Sequence, residues 1–318
     1  NAGIDATLFN RLLNVNMEYY ISNTHDILLS FPMAMSTGFT GYNANIGSMK
    51  NTGVEATIRL NWLQKHNMQG SSTLMLYTNK NTVTALTGDQ DEISGTQTIK
   101  VGMPIYTYNI VKTAGVDPAT GQQLYWAYKK DDKGERIEGS DYVTANKTEA
   151  QNSKYYLDSR APKFQGSFGS DFQFGPVDFS FLTTFSYGGH VYESVYAQTM
   201  EAMYYGDTWN KQILRRWQKP GDVTDVPAVM MNSGRLATDK WLIDASYFAI
   251  KSIQLGYTLP QKWTQKVNIK GLRVFLVGDN IAMFNHLNGM DPQYSISGGT
   301  NYSYAPTRTF SCGIDINF

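Results

Sequence analysis

Residues 163–187 read KFQGSFGSDFQFGPVDFSFLTTFSY, and the alternation in this stretch decides the fold class. Phe164, Phe168, Phe172 and Phe174 share one parity, while Lys163, Gln165, Ser167, Asp171 and Gln173 share the other. Successive side chains of an extended strand point to opposite faces, so a period of two makes one face apolar and the other polar. Gly175-Pro176 is a turn signal. Beyond it Val177, Phe179, Phe181, Phe185 and Tyr187 alternate against Asp178, Ser180, Thr184 and Ser186. The stretch predicts a hairpin of two strands, each of about ten residues, the length of a transmembrane β-strand.

The same pattern recurs on both sides. Leu13, Val15, Met17, Tyr19 and Ile21 oppose Asn14, Asn16, Glu18 and Ser22. Val54, Ala56, Ile58, Leu60 and Trp62 oppose Glu55, Thr57, Arg59 and Asn61. Ile253, Leu255, Tyr257 and Leu259 oppose Ser252, Gln254, Gly256 and Thr258. Segments 71–83 and 272–284 are apolar and strand-like with looser alternation, and residues 2–9 suggest a partial strand. At the end of the sequence, Phe310, Cys312, Ile314, Ile316 and Phe318 oppose Thr309, Ser311, Gly313, Asp315 and Asn317. The sum is about eight full strands and a partial one, an all-β chain.

A soluble sandwich also alternates, and the connections decide between the two. Short links fall near 10–11, 64–67, 175–176 and 260–271, and long ones run 23–45, 85–162, 188–245 and 285–305. Short turns at one rim and long loops at the other are the asymmetry of an outer-membrane barrel, with the short turns periplasmic and the long loops extracellular. Composition agrees: charged residues are 17% of the chain, below the roughly 25% of soluble domains, and aromatics reach 13%. No run approaches the roughly 18 apolar residues of a spanning helix, as expected when strands alternate. Equal numbers of basic and acidic residues, 27 each, point to no nucleic-acid partner. The opening Asn1-Ala2-Gly3-Ile4-Asp5 reads as mid-sequence, so the chain is expected to be a piece of a longer one.

Several blocks in order carry a family resemblance: Asn51-Thr52-Gly53-Val54-Glu55, then the run from Tyr247 to Tyr257, Leu272-Arg273-Val274-Phe275, Gly278-Asp279-Asn280 and Gly289-Met290-Asp291-Pro292. With an aromatic last residue, the chain resembles the SusC/RagA family of TonB-dependent outer-membrane transporters over nearly its whole length. The resemblance implies an antiparallel transmembrane β-barrel of about 22 strands, of which residues 1–318 would be the C-terminal portion with about eight or nine. It also implies an N-terminal plug domain and earlier strands lying upstream, TonB-ExbB-ExbD acting through that plug, a SusD-like surface lipoprotein as lid, and a glycan or oligopeptide cargo. Ile314, Ile316 and Phe318 would form the signal read by the outer-membrane assembly machinery. A passive porin and a secreted all-β binding domain remain as alternatives.

Catalytic chemistry finds no support. His25, His66, His190 and His286 are at least 40 residues apart, without the local spacing of a metal site. Cys312, the single cysteine, reads as a small apolar filler. Asp131-Asp132-Lys133-Gly134 and Asp117-Pro118-Ala119-Thr120-Gly121 read as hairpin turns. No cofactor is expected beyond a possible structural calcium held by Asp89, Asp91 and Glu92 in an outer loop, since that ion favours several oxygen ligands. The segment from Tyr192 to Trp241 is the candidate binding loop, partly helical between Glu193 and Trp217. It carries Tyr192, Tyr196, Tyr204, Tyr205, Trp209 and Trp217, with Arg215 and Arg216 beside them. Aromatic faces with a few polar groups hold sugars and peptides, and the same residues would equally pack the loop on itself.

Overall fold

The computed structural model describes residues 1–33, 35–39, 41–86, 92–201, 206–230, 235–287, 290–294 and 304–317. Nine strands make one antiparallel sheet in which each pairs with the next: β1 (Ala2–Leu8), β2 (Leu13–Pro32), β3 (Gly41–Lys65), β4 (Met68–Leu86), β5 (Phe164–Phe174), β6 (Val177–Tyr187), β7 (Tyr247–Thr258), β8 (Gly271–Asn285) and β9 (Thr309–Asn317). This is the up-and-down order of a barrel wall. Among the described residues no helix is long and apolar enough to cross a membrane.

The β5–β6 hairpin shows how alternation becomes a wall. Phe164 pairs with Tyr187, Phe172 with Phe179 and Phe174 with Val177, all on one face, while Gln165 pairs with Ser186 and Asp171 with Ser180 on the other. Facing rings lie 5.2 Å apart for Phe164 and Tyr187, 5.8 Å for Phe168 and Phe181, and 5.8 Å for Phe172 and Phe179. Each such pair contributes about 0.5–1.5 kcal/mol beyond burial. Gly175 begins the connecting turn at φ +57, a conformation that a Cβ disfavours.

β7 contains a switch of parity. Leu255 and Ile253 pair with Phe179 and Phe181, and after a register shift at Lys251, Ile250 and Phe248 pair with Thr183 and Phe185. Along the chain, even-numbered residues face lipid up to Ile250 and odd-numbered ones from Ile253 onward. One extra residue is what keeps the apolar side chains on a single face.

The long connection expected at 23–45 is a correction. The β2–β3 ladder continues from Asn23 opposite Lys50 to Pro32 opposite Gly41, leaving only residues 33–40 outside it. The two strands are 20 and 25 residues long, against the roughly 9–11 needed to span a bilayer. Strands of this length exceed what a bilayer requires, and beyond the hydrocarbon neither face has to be apolar; register shifts near Thr24 and Ile27 break the period further. The other long connections hold small sheets and short helices. The turns at Asp131–Gly134 and Asp117–Gly121 form as hairpins, with Gly134 N–H donating to Asp131 O and Gly121 N–H to Asp117 O.

Candidate functional site

The described residues of connections 87–163 and 188–246 fold together into a body above one rim of the sheet. Strands Thr107–Ile110, Tyr155–Ser159 and Gln97–Ile99 form part of one small sheet, and Thr113–Val116, Gln123–Ala127 and Tyr142–Thr144 form another. His190–Tyr192 pairs with Leu242–Asp244. The two connections are stitched by backbone: Val111 N–H donates to Ala237 O at 3.0 Å and Asp239 N–H to Val111 O at 3.0 Å. Asp239 also accepts from the N–H and hydroxyl of Thr113, at 2.8 and 2.7 Å.

The core of this body is Tyr108, Ile110, Tyr192, Ala197, Met200, Val226 and Trp241, all buried. Tyr192 is part of that core, and burial pushes its phenol up to about 12. Tyr196, on the helix Ser194–Met200, meets Trp241 edge-on at 5.2 Å and donates its hydroxyl to Gln212. Trp217 donates its indole N–H to Pro118 O at 2.9 Å, tying the second connection to the turn of the first. The rings of Tyr192, Tyr196 and Trp217 are thus engaged in packing. Among the described residues, the helix expected between Glu193 and Trp217 forms two short pieces, Ser194–Met200 and a 3₁₀ turn at Lys211–Arg215.

Trp209 is placed differently. It is 37% exposed and lines a cavity of about 310 Å³ with Met200, Glu201, Ile213, Met230, Tyr125 and Lys147. Burial raises the Glu201 carboxyl above its ordinary range, a rise moderated by the cations of Lys240, Arg235 and Lys147. Burial likewise lowers the Lys147 ammonium, against the opposing pull of Glu201. Lys240 is lowered by burial too, and donates to Asp225 O at 2.5 Å. The cavity combines an apolar wall with a partly buried acid and base, the mixture that small-molecule sites share. Sequence reasoning missed Met200, Glu201, Lys147 and Trp241. Trp241 lies at the end of the aromatic segment, but no local pattern marks the acid or the lysine.

Tyr204 and Tyr205, like Asp89 and Asp91 of the calcium candidate, lie outside the described residues. Glu92 begins the short strand Glu92–Ser94. Among the described residues, no group of three or more His, Cys, Asp or Glu side chains is arranged to hold a metal. The histidines stay apart in sequence: His25 lies within β2 rather than in a loop, while His190 Nδ1 stands 3.2 Å from Asp158.

The polar face of the sheet has its own constellation. Arg273 on β8 donates to both carboxylate oxygens of Asp178 on β6, at 2.9 and 2.6 Å, and to Asp315 on β9 at 3.0 Å. To reach β6 the side chain crosses β7 at Gly256, where an added Cβ would come within 2.4 Å of the Asp178 carboxylate. Three strands, β6, β8 and β9, are joined across this face over a fourth, β7. On the apolar face, Ile314 and Ile316 pair with Val274 and Leu272. Phe318 lies outside the described residues.

No protein-family profile matches the chain. Among curated proteins it is similar to TonB-dependent receptor P3 of Formosa agariphila, 24% identical over 99% of this chain and 33% of the relative. TonB-dependent receptor P26 of the same organism is 25% identical over 99% of this chain and 34% of its own length. TonB-dependent receptor SusC of Bacteroides thetaiotaomicron is 25% identical, over all of this chain and 31% of that receptor. Among solved structures, the RagAB peptide transporter superposes with a TM-score of 0.87 at 23% identity, over 99% of this chain and 34% of the matched one. The RagAB peptide importer in its open-open state gives 0.84. The chain spans about a third of the length of the curated relatives it matches.

Proposed function

We propose that this chain, a partial transmembrane barrel of the SusC type of TonB-dependent receptor, supplies wall, lumen surface and outer loops to an active nutrient importer of the bacterial outer membrane. The observation that carries this reading is the division of the molecule. One sheet puts apolar residues outward and polar ones on its other face, and its long connections build a folded body with a cavity at one rim. A channel wall needs the first and cargo selection the second.

The importer has the remaining strands and a plug as parts of the same receptor, and a SusD-like lipoprotein closes over the long loops. The cargo, a glycan or an oligopeptide, is held beneath that lid, and force transmitted by TonB-ExbB-ExbD remodels the plug. No covalent reaction is involved. Among the described residues of the aromatic segment, we assign Trp209 to cargo contact, because its ring lines the cavity while Tyr192, Tyr196 and Trp217 are taken up in packing.

The test is uptake by cells carrying the full-length receptor, fed oligosaccharides or oligopeptides as the sole source. Deleting the receptor should abolish growth on one of the two diets, and deleting TonB should do the same. Trp209→Ala should slow uptake at unchanged surface abundance. Uptake that persists without TonB would identify a passive pore instead.

A further inference from the structure

The rim opposite the loop body carries an uneven charge. Its connections, 9–12, 66–67, 175–176 and 259–270, contain Arg11, Lys262, Lys266 and Lys270 and no aspartate or glutamate. Across the whole chain 27 basic residues balance 27 acidic ones. Three of these cations and an exposed tryptophan belong to the single segment between β7 and β8. Lys262, Lys266 and Lys270 are exposed, and no ion pair engages them among the described residues. Trp263 is 63% exposed.

This segment is no loose tail. The helix Gln261–Thr264 runs into a 3₁₀ turn, and Asn268 closes it in the left-handed region at φ +58. Ile269 N–H donates to Thr264 O, Leu259 N–H to Leu272 O and Lys270 N–H to Asn317 O, at 3.1, 2.8 and 2.8 Å. The backbone that carries Trp263 and the lysines is therefore fixed to the rim. They sit directly beyond the apolar faces of β7 and β8, whose Leu255, Tyr257, Val274 and Leu276 are exposed side chains that the membrane covers.

Indole rings settle at the boundary between hydrocarbon and headgroups, and lysines there extend their ammonium groups to phosphate while their stems lie on apolar surface. We propose that the 259–270 segment is an anionic-phospholipid site, in which Trp263 takes the glycerol level of the leaflet and Lys262, Lys266 and Lys270 take the headgroup phosphates. It continues the lipid-facing belt, rests on the membrane-barrel reading alone, and is independent of what the receptor imports. Each lysine near an anionic surface is worth about a fivefold change in lipid affinity.

The experiment uses the full-length receptor in phosphatidylcholine vesicles holding a minor fraction of phosphatidylglycerol, with bromine on the acyl chains of one lipid at a time. The expected result is stronger tryptophan quenching by brominated phosphatidylglycerol than by brominated phosphatidylcholine. That excess should be lost in Trp263→Phe and in the triple variant Lys262→Gln, Lys266→Gln, Lys270→Gln, whose affinity for the anionic lipid should fall by about a hundredfold. The same charge change on the loop body, Lys129→Gln, Lys130→Gln and Lys133→Gln, should leave it intact, and inorganic phosphate should not compete. Equal quenching by the two lipids, an unchanged triple variant, or loss in the loop-body control would overturn the site. Heat-modifiable migration of each variant reports barrel folding separately, so failure of the barrel itself is distinguishable.

Discussion

The sheet and the loop body use the same residue types in opposite ways. In the sheet, Phe310 is 74% and Ile314 62% exposed, while in the loop body Tyr108 is fully buried and Trp241 is 2% exposed. Burial alone would make the sheet look unstable. The difference is one of solvent: a wall in hydrocarbon presents its apolar face outward and satisfies its backbone between strands, whereas a body in water must collapse on itself. Stability in one chain thus rests on two separate accounts, and each can be disturbed without the other.

The largest expected effect falls on the body. Trp241→Ala removes the ring on which Tyr196 packs and leaves a cavity among Tyr108, Tyr192 and Met200, at a cost of about 3–5 kcal/mol. Surface proteolysis of cells should cut the long connections much faster, while the full-length receptor keeps heat-modifiable barrel migration. Loss of both together would show that the two regions fold as one unit.

The converse change is in the wall. Phe168 lies at the middle of β5 on the lipid face, and Ser167 beside it faces the lumen. Phe168→Arg should cost about 2–4 kcal/mol, and Ser167→Arg under about 1 kcal/mol. Urea-dependent refolding of the full-length receptor into vesicles measures both. Equal costs would mean that β5 has no lipid face.

These regions also differ in how far sequence reveals them. The β5–β6 hairpin is legible because one residue in two is apolar and its turn is local. The lengths of β2 and β3 in excess of a bilayer's span are not, since beyond the hydrocarbon no parity need be kept. The shift at Lys251 shows in the sequence only as a change of parity between Phe248 and Leu255. The loop body is least legible: Thr113 and Asp239, which bond at 2.7 Å, are 126 residues apart. Nothing near Glu201 or Lys147 in the chain announces that they share a cavity with Trp209. Likewise the reach of Arg273 to Asp178 depends on the bare backbone of Gly256, a relation across three strands rather than along one.

The smallest expected effect probes the water-facing account alone, through pH. In the loop body the Asp141 carboxylate accepts from the Tyr155 hydroxyl at 2.6 Å and from Arg136 at 2.6 Å, and these bonds, the tyrosine's first, hold it below the ordinary carboxylate range. A carboxyl whose folded pKa is depressed contributes stability that is present above its unfolded value of about 3.8 and is lost as pH falls through the folded one. The unfolded chain takes up the proton first, so acid favours unfolding. Protection of the 107–159 amides from hydrogen exchange should therefore decline as pH drops below that of a free aspartate, after correction for intrinsic exchange. Asp141→Asn should flatten the decline, because the amide cannot titrate, and should leave the exchange of β5 and β6 unchanged. The asparagine keeps an acceptor for Tyr155 but loses the charge facing Arg136, so some protection should also be lost at neutral pH. A variant as acid-sensitive as the parent would assign the decline to another group, with Asp117 and Asp222, both held low by hydrogen bonds on the same body, next in line.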